Sequence, residues 1–117
     1  MAAIKFDLEI EQGIPYTKKF LVRNEDASLP VMTGWTARMQ FRPYVSSSQV
    51  VLDADTTNGK LSINTTDSSV EINLSEADTQ ACTLVKYVYD LELLDTTSKP
   101  IRLLQGNVSV SLEVTRN

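Results

Sequence analysis

Tyr87-Val88-Tyr89-Asp90-Leu91-Glu92-Leu93-Leu94 puts Tyr87, Tyr89, Leu91 and Leu93 on one side of an extended chain and Val88, Asp90, Glu92 and Leu94 on the other. Successive side chains alternate in this way along a β-strand, so the period of two predicts a strand with one face in a core. Lys86, Asp90 and Glu92 make most of the second face polar, while Val88 and Leu94 interrupt it, which predicts partial cover there as well. The strand is expected to span Leu84 to Leu94, turn through Asp95 to Pro100, and return from Ile101 to Val114. On the return, Val108, Val110, Leu112 and Val114 alternate with Ser109, Ser111 and Glu113, but Ile101, Leu103 and Leu104 fall out of step across Gly106. A β-bulge near Gly106 would restore the register, because a bulge adds one residue and glycine has no side chain to obstruct it.

Working back from this hairpin, Ser75-Glu76-Ala77-Asp78 carries an acid three places after a serine, a weak capping-box pattern that predicts one helical turn. Lys60 to Ile63 and Val70 to Leu74 are two short strands joined by the polar link Asn64 to Ser69. Val50-Val51-Leu52 is another, followed by a turn from Asp53 to Asn58-Gly59, a dipeptide that signals a hairpin. Trp35, Ala37, Met39 and Phe41 alternate with Thr36, Arg38, Gln40 and Arg42 until Pro43 and Ser46-Ser47-Ser48 end the strand. Asn24 to Pro30 is polar and closes on a proline, as a surface loop does. Nearest the N-terminus, Ile4, Phe6, Leu8 and Ile10 alternate with Lys5, Asp7, Glu9 and Glu11. Gln12-Gly13-Ile14-Pro15 is a turn, and Tyr16 to Val22 is expected to return antiparallel.

Seven or eight short strands, frequent turns and no helical period long enough for a crossover predict an all-β fold. The expected form is one domain over residues 1–117, an antiparallel, immunoglobulin-like β-sandwich, with a small closed barrel as the structural alternative. A chain of 117 residues can bury roughly two-thirds of its unfolded surface in one core. With 42% apolar and 22% charged residues it falls outside the composition of disordered chains. A net charge of −4 argues against nucleic acid as a partner, since binding phosphates needs gathered lysines and arginines. Charges interrupt Met1 to Asp7 at once, so neither a signal peptide nor a membrane span is expected. The chain reads as an unprocessed protein made in the cytosol.

Histidine is absent and Cys82 is the single cysteine, which removes intrachain disulfides and the commonest zinc ligands; no cofactor or metal is expected. Cys82, between small and apolar neighbours, reads as a minor hydrophobe in or near the core. Asp90 and Glu92 lie on one strand face roughly 7 Å apart, a spacing that could serve a glycosidase. Two solvated acids, partnered by Arg102 across the hairpin, explain them more simply. Asp53 and Asp55 with Asn58-Gly59 offer oxygens for calcium, but the full loop with its closing glutamate is missing and turn formation accounts for them. No glycine-rich phosphate cradle or nucleophile elbow is present, so no enzyme is expected. Three glycosylation sequons, at Asn64, Asn73 and Asn107, are of the kind that arise by chance in a chain rich in serine and threonine. What is left is binding. Trp35 reads as core, Arg42 and Tyr44 are the candidate interface residues, and strand edges or the terminal arms Met1-Ala2-Ala3 and Thr115-Arg116-Asn117 could accept or supply a strand.

The stretches Thr33 to Arg42, Tyr87 to Leu93 and Arg102 to Val110, with Glu113-Val114-Thr115-Arg116, together resemble small β-sandwich virion proteins of tailed bacteriophages and prophages. In that group an opening strand and a Gln-Gly turn, here Gln12-Gly13, precede a Thr-Gly-aromatic strand, here Thr33-Gly34-Trp35. A Tyr-x-Tyr-Asp-Leu hairpin, here from Tyr87, ends the chain. The resemblance covers nearly the whole sequence. It implies a structural protein without catalytic residues: an adaptor of tail or baseplate that joins virion proteins or attaches receptor-binding fibres, or a decoration protein that cements the capsid. Its partners would be other virion proteins and further copies of itself, in a virion assembled in the bacterial cytoplasm. The alternative of another class is a free-standing module that binds carbohydrate or peptide through its loops.

Overall fold

Two sheets face each other across a shared core, in a computed structural model that describes residues 3–115. Met1, Ala2, Arg116 and Asn117, and with them most of both terminal arms, lie outside the described residues. The elements in chain order are β1 (Ile4–Lys5), β2 (Leu8–Glu11), β3 (Tyr16–Leu21), β4 (Thr36–Arg42), β5 (Leu52–Asp55), β6 (Leu61–Asn64), β7 (Ser69–Leu74), α1 (Glu76–Gln80), β8 (Lys86–Leu94) and β9 (Pro100–Ser111). The larger sheet runs β5-β4-β8-β9, with β1 and then β2 lying along the outer side of β9; the smaller runs β3-β7-β6. Among the described residues no helix is long and apolar enough to cross a membrane.

The alternation read from the sequence fills the interior. Ala37, Met39 and Phe41 of β4, Tyr87, Leu91 and Leu93 of β8, and Val70 and Ile72 of β7 are all buried, and Trp35 packs partly buried against them. Placing β4, β8 and β9 in one sheet and β3, β6 and β7 in the other is the immunoglobulin-like partition, with β5 as the strand that variable-type domains add. The Tyr87 hydroxyl accepts a hydrogen bond from the Leu84 N–H at 3.0 Å, the back-reaching tyrosine such sandwiches place at the corner before this strand. Ser75 caps α1: its hydroxyl accepts from the Asp78 N–H, and the Asp78 carboxylate accepts from the Ser75 N–H, closing the expected capping box.

Four expectations about connection are overturned. First, the N-terminal alternating stretch is two strands, and both run parallel to β9, in the register Ile4↔Leu104 and Leu8↔Val108. Between them the chain leans onto Gly106. The Asn107 N–H turns to the Asp7 carboxylate, the Tyr89 hydroxyl donates to the Phe6 carbonyl, and the Phe6 ring leaves the sheet for Phe20. Leu8 and Ile10 are buried as predicted, whereas Ile4 and Phe6 stay exposed. Second, β3 does not return beside β2; Gln12 to Pro15 is a corner that carries the chain to the other sheet, where β3 pairs with β7. The Gln12 side chain fixes that corner by donating to the Gln80 and Cys82 carbonyls, both at 3.2 Å, and accepting from the Glu113 N–H at 2.8 Å.

Third, Asn58-Gly59 closes no hairpin, because β5 pairs with β4 and β6 with β7. Asn58 instead exchanges hydrogen bonds with Asp55 and donates to the Asp53 carbonyl, so the turn passes the chain between sheets. The strand expected at Val50 to Leu52 correspondingly begins only at Leu52. Fourth, the expected bulge is present, but at Leu103 and not at Gly106. Leu91 pairs with Leu104 and Glu92 with Arg102, which lets the consecutive leucines Leu103 and Leu104 both turn inward. Gly106 has a different task, described by what leans on it. The hairpin itself is shorter than read, since Leu84 and Val85 precede β8 and Leu112 to Val114 follow β9.

Two turns of the same form, Asn24 to Ser28 and Asp95 to Lys99, hold Ala27 and Ser98 at φ of 71° and 60°. Left-handed backbone costs a residue with a Cβ roughly 1–2 kcal/mol, and glycine nothing. Ala27→Gly and Ser98→Gly are each expected to raise stability by roughly 0.5–1 kcal/mol after glycine's larger unfolded-state entropy is subtracted, measured as a higher urea midpoint.

Candidate functional site

Pairing register assigns the outer face of the larger sheet residue by residue. One row crosses it as Asp55, Arg38, Glu92 and Arg102, and the next as Asp53, Gln40, Asp90, Gln105 and Lys5. Arg38 pairs with Glu92 at 2.8 Å, and Arg102 lies 3.6 Å from Asp90. The two acids that could have formed an acid/base pair are thus divided between arginines of two different strands, the ordinary arrangement of charges on a half-covered sheet. The expected Arg102 partner is present, and Arg38 is one that spacing alone did not reveal. Lys5, Gln40, Val88, Asp90, Arg102 and Gln105 surround an open concavity of about 430 Å³ on this face, which Arg42 and Val45 also line.

Arg42 and Tyr44, the candidate interface residues, have different tasks. The Arg42 guanidinium donates to the Ser47 carbonyl at 2.5 Å and to the Gln40 side chain at 2.8 Å, so it clasps the connection between β4 and β5. Ser47 in turn donates its N–H to the Tyr44 carbonyl, and its hydroxyl accepts from the Gln49 N–H. Arg42 therefore shapes the loop that holds Tyr44 out, with 60% of Tyr44 and 85% of Val45 exposed. β4 ends where β8 begins and β9 ends, so further exposed apolar residues gather at that end of the sandwich: Leu84 and Val85 before β8, Leu112 and Val114 after β9. Val45 and Val85 carry no signal in a pattern of alternation, because each lies just beyond a strand.

The remaining chemistry-bearing residues are absorbed by the fold. Cys82 is buried with its sulfur 3.8 Å from the Asp78 carbonyl; burial, and then the Asp78 charge, push its thiol up to about 11, so almost none is thiolate at neutral pH. Burial alone would raise Asp78, but hydrogen bonds from Lys60 and from Ser75 outweigh it and hold the carboxyl below its ordinary value. Lys60 to Asp78, at 2.8 Å, ties β6 to α1. Burial raises the Tyr89 phenol, whose proton is already committed to Phe6. Asp53 and Asp55 lie on β5 and serve the Asn58 turn, and among the described residues no three Cys, Asp or Glu side chains are grouped to hold a metal ion. Of the sequon asparagines, Asn64 is exposed and folds back onto the Thr66 N–H, while Asn73 and Asn107 are half-buried within strands. No family model and no curated protein matches this chain.

Proposed function

We propose that the chain is a structural joint in the particle of a tailed bacteriophage, an adaptor of tail or baseplate that holds neighbouring virion proteins or attaches receptor-binding fibres. The observation that supports a joining role is the apolar end. Because β9, β8 and β4 are neighbours in that order, Leu112 and Val114, Leu84 and Val85, and Tyr44 and Val45 extend from three adjacent strands at one end of the larger sheet. Apolar side chains gathered this way favour a partner that removes them from water, at roughly 1.5–3 kcal/mol for each large one fully buried. Tyr44 supplies the aromatic anchor that such contacts concentrate on. The resemblance to small virion sandwiches supplies the particle, and with it the virion as location and other virion proteins and copies of this chain as partners. Decoration of the capsid would use the same surface in the head.

A second reading, a free-standing carbohydrate-binding module, is favoured by the open concavity on the larger sheet, where Asp90, Arg102, Gln40 and Gln105 offer hydrogen-bonding groups beside apolar surface. The test is mass spectrometry of purified particles whose genome encodes the chain, with a parallel phage carrying Tyr44→Asp and Val45→Asp. The chain is expected at fixed stoichiometry in the first particles and to be missing from the second, while the isolated double variant unfolds within about 1 kcal/mol of its parent, as exposed substitutions do. Particles that lack the chain altogether, with retention of the purified protein on a glycan array, would replace the joint by the second reading.

A further inference from the structure

In an immunoglobulin-like sandwich the first strand ordinarily lies in the same sheet as the counterparts of β3, β7 and β6. Here β1 and β2 both lie along β9, and β3 pairs with β7 alone. We propose that the open edge of β3 accepts an extended, acidic segment of a partner protein as an added strand. The edge is six residues long, Tyr16–Leu21, and its free groups can be identified. The Val22 N–H donates to the Ser68 carbonyl, so Val22 and, by alternation, Phe20, Lys18 and Tyr16 bond toward β7. Thr17, Lys19 and Leu21 therefore turn their N–H and C=O groups outward, all three are exposed, and none has a partner strand among the described residues.

Charge selects the occupant. In the antiparallel registers centred on Lys18 or Lys19, two such edges would set lysine against lysine, which disfavours a second copy as the occupant. The edge attracts glutamate or aspartate. Lys19 lies on the outer face in an ion pair with Asp67 that leaves nearly half its side chain exposed to a second carboxylate, and Lys18 leans inward with its ammonium 5.6 Å from the centre of the Phe6 ring. Inward side chains of the guest would reach Phe6, itself partly exposed, and the half-buried Tyr16 and Phe20. The guest thus alternates apolar and acidic residues. At the far edge of the larger sheet, β5 is shorter and carries Asp53 and Asp55, which turn the same guest away. The edge shares no residue with the apolar end, although the Gln12–Glu113 hydrogen bond sets the start of β3 near it, so each surface can be varied alone.

The probe is the peptide acetyl-Thr-Val-Glu-Val-Glu-Val-Thr-amide, with a second peptide in which lysines replace the glutamates, each added to the ¹⁵N-labelled chain. Saturating glutamate peptide is expected to slow hydrogen exchange at the Thr17, Lys19 and Leu21 amides at least tenfold, and the lysine peptide to leave them unchanged. Lys18→Glu with Lys19→Glu should reverse that preference. Lys19→Pro removes one outward donor without touching the β7 ladder and should abolish the effect. If that proline variant does not fold, the charge reversal decides the matter alone. No slowing at millimolar peptide, an equal response to both peptides, protection centred on β5, or protection of the same amides by self-association without peptide would each overturn the proposal.

Discussion

Gly106→Ala is expected to destabilise the fold by about 3 kcal/mol or more, read as a fall in the urea midpoint. A Cβ at this position would lie 2.8 Å from the Asp7 carboxylate oxygen and nearer still to the Phe6 carbonyl oxygen, closer than real Cβ atoms come to any atom. The obstacle is largely backbone, so a rotamer change cannot clear it. If β1 and β2 lift away from β9, Leu8 and Ile10 lose their burial at roughly 1.5–3 kcal/mol apiece. If they stay, the overpacked contact costs about 1–3 kcal/mol, and the Tyr89–Phe6 and Asn107–Asp7 hydrogen bonds are stretched with it. Hydrogen exchange distinguishes the two routes: lifting exposes the β2 amides while β3 and β7 keep their protection. A variant within about 1 kcal/mol of the parent would mean that the N-terminal strand does not lie where the register places it.

Phe41→Ala should cost about 3–5 kcal/mol, the range for deleting a buried aromatic ring. Phe41 is fully buried on β4 and meets Tyr89 edge-on, with ring centres 6.2 Å apart. The loss combines transfer of the ring with the cavity left behind, and the surrounding strands are tied on both sides by β5 and β8, so collapse around the gap is limited. Since domains of this size are stable by about 5–15 kcal/mol, a large share of the fold's margin rests on one side chain. Phe41→Leu, which keeps much of the volume, is expected to cost clearly less. Equal melting of Phe41→Ala and the parent would refute a core shared by the two sheets.

The faces of the strands were legible from alternation, as Ala37-Met39-Phe41 and Tyr87-Tyr89-Leu91-Leu93 attest, and so was the Ser75 cap. Among neighbours the β8–β9 hairpin was legible from its turn, but the other pairings were not, because alternation fixes which side of a strand is buried and says nothing of which distant strand lies beside it. Gln12-Gly13 and Asn58-Gly59 have the chemistry of reversals, yet both carry the chain to the opposite sheet. Gly106 looked like a register repair, but its reason is Phe6 and Asp7, a hundred positions away along the chain. The same limit applies to the surfaces. Tyr44 could be read as exposed from Pro43 and the serines that follow, while the clasp of Arg42 on Ser47 and the open edge of β3 depend on how distant segments pair.

The parallel run of β2 along β9 also governs how the molecule would bear tension. β9 covers about 40 Å at the usual strand rise, most of a body 45 Å long. Because the two strands point the same way, the near end of β1 and the far end of β9 emerge at opposite poles. A force drawing residue 3 from residue 115 therefore shears the bonds between these strands all together, where a hairpin pulled from its open end would peel one bond at a time.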